Sequence, residues 1–410
     1  MLLGLAREGS IAGMLAEKMS YREKVFLAGI LLAIVPTVGV LSEKQRPDPY
    51  AIPDAVVKEG SGFRLEIEPS QTPELSEQLA NSLYEDIVSV RQFLGMSKPL
   101  RLFLVNRSDL DADEYEPATL HNASGLLLRV NFESDDWDYQ QIRNQIIREY
   151  LDHTSESANY EPTCWVIDGF AEYWSLTEQV DSAAVNDANK KSRLRAMYAT
   201  KLGMDVSDFE AWYRFRERVG RPLSRSAGCA LLMYVRNNHG EEAVQQFVRE
   251  YLDGNLPDDI RGTFRSLTHP IAEVWLETFG EDYRESIGEF LADLEADAQR
   301  DSEVLADVPT LSAKAETAER SGVSFDLMIL PQLTPTTATP IEVLYKKVRP
   351  FIDVEDDRSA ESQTENFQAD MSIRLQPVFS RGDIVRWTAR IHSEKLDCKL
   401  ISGWKRLEVQ

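Results

Sequence analysis

Hydrophobic periodicity changes twice along this chain, and the order of those changes limits the fold more than any single residue does. Between 63 and 132 the apolar residues alternate as strands do, at 63–67, 100–105 and 124–132, with one interruption. Across 73–94, Leu75, Leu79, Leu83, Ile87 and Val90 recur at helical spacing, which predicts a helix packed on a sheet. From about 138 to 298 helix-period segments dominate, among them 227–237, 241–252 and 282–294. Period two returns at 324–330, 341–345, 371–375, 383–391 and 400–407. This order predicts an α+β fold: a small sheet plus a mostly helical half over 62–299, a polar connector over 300–322 and a β-rich C-terminal domain over 323–410. Inside that last domain, 353–370 is acidic with little to bury, the composition of a loop.

The N-terminus supplies a different signal. Residues 25–41 (VFLAGILLAIVPTVGVL) run without a charge between Lys24 and the Ser42-Glu43-Lys44 cluster. As a helix this run reaches ~26 Å, just enough to span a bilayer core. The competing reading is a buried helix, but charges bracket the run on both sides and no other segment is as apolar. The expectation is a transmembrane anchor at 25–41, retained because no A-x-A pattern follows it. Arg7, Lys18, Arg22 and Lys24 before the span bias 1–24 toward the cytoplasm and place the bulk of the chain outside it, in a periplasm-like compartment. Residues 42–61, with Pro47, Pro49 and Pro53, read as an extended linker.

Composition then removes whole classes of function. The 68 acidic against 45 basic side chains give a formal net charge of −23, so nucleic acid is not an expected partner. Cys164, Cys229 and Cys398 lie far apart with no CxxC, which argues against a cysteine zinc site. The five histidines (His121, His153, His239, His269 and His392) never approach within thirty residues of one another, so two imidazoles on one helical turn are excluded. No G-x-S-x-G elbow, phosphate loop of the G-x-x-x-x-G-K-[ST] type or G-x-G-x-x-G fingerprint occurs.

The stretch 138–176, DYQQIRNQIIREYLDHTSESANYEPTCWVIDGFAEYWSL, carries the most specific pattern in the chain. Its layout resembles the active-site region of the gluzincin metallopeptidases, in which one helix bears HExxH and a second opens with a W-x-x-E-G-x-A-E-Y-like run. In that family two imidazoles at i and i+4 hold zinc, a Glu from the second helix completes the protein ligands, and the Glu of HExxH activates the metal-bound water. The run from Trp165 to Tyr173 matches the second half well. In the same register the first histidine position is Arg148, the general-base position is Glu149, the second histidine position is Asp152 and the third ligand is Asp168. The resemblance further implies that a peptide would lie along the upstream strand at 126–132.

The departures from that pattern decide the expected function. A guanidinium cannot ligate zinc, so Arg148 implies a degenerate metallopeptidase site with no metal, no cofactor and no catalytic residue. Two arrangements are open for Arg148: a bridge between Asp152 and Asp168 beside Glu149, or an extension into solvent across an open cleft. The leading expectation is a pseudo-peptidase that binds a protein or peptide partner in the cell envelope, with the membrane engaged through the N-terminal helix. The rival is an active peptidase or hydrolase with a non-standard metal site drawn from Glu149, Asp152, His153, Asp168 and Glu172. Cys164 beside Trp165 is a weaker nucleophile candidate.

Overall fold

Five short strands open the folded part: β1 (Val56–Gly60), β2 (Phe63–Ile67), β3 (Leu100–Asn106), β4 (Tyr115–Leu120) and β5 (Gly125–Val130). The structure, a computed structural model, describes residues 52–60, 62–97, 99–110, 115–120, 125–135, 137, 139–154, 164–177, 182–253, 271–322, 324–334, 340–348, 361–366 and 372–409. The strands form one sheet in the order β1-β2-β3-β5-β4. The pairs β2–β3 and β3–β5 are parallel, whereas β1 and β4 add antiparallel at the two edges. A parallel pair needs a crossover, and helix α1 (Pro73–Leu94) supplies the one between β2 and β3. Its stripe of Leu79, Leu83, Ile87, Val90 and Leu94 is buried, and Gly95 ends it with a left-handed φ of 65°.

The helical half follows: α2 (Tyr139–Thr154), α3 (Trp165–Thr177), α4 (Ser182–Lys201), a 3-10 turn at Val206–Phe209, α5 (Trp212–Val219), α6 (Arg221–His239), α7 (Glu241–Asp253), α8 (Ile271–Phe279), α9 (Tyr283–Arg300) and α10 (Ser302–Ala306). Every residue of α3 from Trp165 to Leu176 is buried, which makes it the axis of this half. It crosses α6 at backbone contact: a Cβ added to Gly169 would stand 2.4 Å from the carbonyl carbon of Gly228. Only glycine permits that approach, and it sets the depth of the neighbouring Asp168.

Two sheets complete the chain. In the first, β7 (Ser324–Thr334) pairs with β6 (Thr310–Ser321), β10 (Ile373–Arg374) and β11 (Phe379–Ser380). In the second, β12 (Ile384–Ser393) lies between β8 (Pro340–Val348) on one side and β13 (Cys398–Ile401) and β14 (Lys405–Glu408) on the other, with β9 (Glu361–Asn366) outside β8. The described chain from Asp54 onward is one compact unit around one continuous apolar cluster. Arg195 Nε donates to the Leu396 carbonyl at 2.7 Å, and Tyr198 OH to that of Pro309 at 2.9 Å, fastening α4 to the β-rich part.

Several expectations need correction. The membrane-crossing helix has no counterpart: among the described residues no helix is long and apolar enough to cross a membrane. The longest of them, α1, carries Glu74, Glu77, Glu85, Asp86 and Arg91 between its apolar positions. Residues 25–41 and the segment 1–24 lie outside the described residues, and the fold of the described residues is α+β. The supposed linker contains β1, whose Val56 to Gly60 pair with Ile67 to Phe63. The supposed connector is mostly β6, and the supposed acidic loop contains β9, which pairs with Pro340–Tyr345. Each of these segments is a strand through its backbone pairing to a neighbour.

Candidate functional site

Helix α2 meets the core through Ile146, Ile147, Tyr150 and Leu151, which are fully buried. That stripe turns Arg148, Glu149 and Asp152 toward α3, as their spacing on a helix requires. Two polar ties set the position of α2. Arg143 Nε donates to Asp86 on α1 at 2.7 Å, and Arg91 Nη1 donates to the Tyr150 hydroxyl at 3.0 Å.

The centre of the site is Asp168, on the first turn of α3 and almost wholly buried. Its Oδ1 accepts from Arg148 Nε at 2.8 Å, and its Oδ2 accepts from the Trp212 indole at 2.9 Å. Arg216 Nη1 stands 3.6 Å from the same Oδ2. Arg148 Nη1 also donates to Glu149 Oε1 at 2.8 Å and lies 3.6 Å from Asp152 Oδ2. Arg148 therefore bridges the two helices, and the alternative in which it extends to solvent does not hold.

The electrostatics follow from this packing. Burial alone would raise the Asp168 carboxyl, but the two guanidiniums and the hydrogen bonds outweigh it and hold it at about 2. Asp152 moves the other way: burial, with Glu149 and Asp168 nearby, raises it against the pull of Arg148. Cys164 lies 3.8 Å from Arg216 Nη1, yet burial pushes its thiol up to about 12, so it stays protonated and is no nucleophile at neutral pH. Glu172 is engaged elsewhere, accepting from Ser226 Oγ on α6 at 2.7 Å.

The residues present do not fit zinc. Among the described residues no three His, Cys, Asp or Glu side chains converge to hold a metal ion. Neither the register Arg148, Asp152, Asp168 nor a shifted set using Glu149, His153 and Glu172 assembles a ligand group. The Arg148 guanidinium already occupies Asp168 Oδ1 and the Trp212 indole its Oδ2, and no lone pair on Arg148 can replace an imidazole.

Sequence reasoning missed Trp212 and Arg216. They stand four apart on α5, so they share one face, and the spacing W-Y-R-F-R was the available signal. The strand expected to receive a peptide was also misplaced. Segment 126–132 corresponds to β5, which is paired with β3 on one side and β4 on the other. β4 is one of the sheet's two edge strands, β1 being the other, and α2 lies next to it. No protein-family model, no curated protein and no solved structure matches the chain.

Proposed function

We propose that this chain is a gluzincin-like pseudo-peptidase that binds a protein partner without hydrolysing it. One observation carries the reading: Arg148, at the position the gluzincin resemblance would give a metal-holding imidazole, is hydrogen-bonded to Asp168 at 2.8 Å. A guanidinium is not a Lewis acid that would lower the pKa of a bound water, and Glu149 is engaged as an acceptor from Arg148 at 2.8 Å.

The surface offered to a partner is the β4 edge, where an extended peptide would add as a further strand. Pro117 pairs with Leu128 in β4–β5 and has no N–H, so its backbone turns to the open side together with those of Tyr115 and Thr119. That side offers three carbonyls and two N–H groups, Pro117 supplying a carbonyl acceptor but no donor.

The test uses the full chain. Zinc content after purification without chelator, and peptide hydrolysis with and without chelator, are measured for wild type and Glu149→Gln. The expected result is substoichiometric zinc and no hydrolysis sensitive to chelator or to the substitution. One zinc per chain, or a chelator-sensitive rate lost in Glu149→Gln, overturns the reading in favour of a hydrolase.

A further inference from the structure

Helices α4, α6 and α9 do not close on one another along their whole length. Between them lies a cavity of about 700 Å³, within the ~300–1,000 Å³ of sites that enclose a small ligand. Its floor is apolar: Leu176, Phe290 and Leu294 are buried, and Ala230 and Met233 are partly so. The Tyr234 ring stands edge-on to Phe290 at 5.7 Å and forms one wall. Small side chains keep the space open, since α6 places Cys229 and Ala230 there and α4 places Ser192, where larger ones would fill it.

Polar side chains ring the opening. Arg193 and Arg300 both pair with Asp297, so these three charges are already committed to one another. One turn back along α4 and α9 stand Lys190 and Asp293, exposed lining residues that carry no ion pair, with each other or with any of the described residues. The two helices run in the same direction, because Arg193 meets Asp297 and Lys201, further along α4, reaches the Leu305 carbonyl beyond the end of α9. Lys190 and Asp293 therefore face each other across the cavity with the apolar floor below. The carboxamides of Asn189 and Asn237 belong to the same lining and make no hydrogen bond among the described residues. Each can donate and accept, as a peptide bond does.

We propose that this cavity binds a free di- or tripeptide with apolar side chains and two charged termini. The complementarity is positional: Lys190 meets the terminal carboxylate, Asp293 meets the terminal ammonium, and the floor takes the side chains. A fatty acid would match the floor and Lys190 but would bring its carboxylate beside Asp293, a like charge with no cation paired to it. No residue of the Asp168 cluster lines the cavity, so the inference stands apart from the pseudo-peptidase reading.

The test is calorimetric titration of the full chain with trileucine, its N-acetyl and C-amide forms, triserine and dodecanoate at one ionic strength. Trileucine should bind saturably at one site, each blocked form about fivefold or more weaker, and triserine weaker still. Lys190→Gln should bring the C-amide to within about twofold of trileucine while keeping the N-acetyl penalty, and Asp293→Asn should do the reverse. Both residues are exposed, so neither change threatens the fold. That crossed pattern locates the ligand between α4 and α9, and a peptide lying along the β4 edge would not give it. No saturable heat, equal affinity of the blocked forms, a penalty that neither substitution removes, or triserine or dodecanoate binding as tightly as trileucine overturns the proposal.

Discussion

Asp168→Asn removes the one anion that touches Arg148, Arg216 and Trp212 together while keeping the size of the side chain. A carboxyl held at about 2 in the folded chain, against ~3.9 when unfolded, stabilises the fold by about 2–3 kcal/mol at neutral pH. The sign follows from the depressed value: this stabilisation is fully present above the unfolded value and is lost as the pH falls toward 2. By pH 3 about half of it remains. The variant should therefore lose about 2–3 kcal/mol at pH 7 and about half as much at pH 3, because wild type forfeits the difference by protonating the unfolded carboxyl. Glu149 and Asp152 stay beside Arg148, which keeps the cost below the ~3–5 kcal/mol of a fully orphaned buried charge. Urea unfolding followed by tryptophan fluorescence at both pH values measures it, with Trp212 reporting at the site. A loss under about 1 kcal/mol at pH 7, or one that does not shrink at pH 3, would refute the idea that Asp168 is the ionised hub of the cluster.

Two further substitutions probe the same region from other directions. Asp152→Asn should leave stability unchanged or raise it at pH 7, because burial and its acidic neighbours disfavour the charged form; the raised carboxyl gives an advantage that fades as the pH falls through its folded value, which urea midpoints at pH 7 and pH 4 would show. Gly169→Ala should cost about 3 kcal/mol or more in thermal unfolding, since its Cβ would stand 2.4 Å from the Gly228 carbonyl carbon and force α3 off α6. Gly288→Ala in α9, where nothing lies within 4 Å, should instead be neutral or stabilising by up to ~1 kcal/mol.

The parts of this fold that were legible in the sequence are those with one apolar face. Helix α1 matches its expected limits because Pro73 opens it, Gly95 closes it and its apolar stripe has a single period. The strands β1, β4, β6 and β9 were not legible. Thr310–Ser321 buries only Leu311 and Ala313, and what makes it a strand is a partner, β7, that composition does not reveal. Pro117 hid β4 in the same way, since a proline within a short run argues against a strand until an open edge is there to receive it. At the site, Arg148, Asp152 and Asp168 could be aligned from i, i+4 spacing and the WVIDGF run. Trp212 lies 44 residues beyond Asp168 on a separate helix, and no periodicity connects the two.

The missed pair changes what a histidine pair at 148 and 152 would do. Exchanging those two positions for histidine would create an i, i+4 imidazole pair beside a buried carboxylate. The Asp168 carboxylate is not waiting for a cation, however, because Trp212 and Arg216 engage its second oxygen from α5, and a metal would have to displace a charge-assisted contact as well as an indole hydrogen bond.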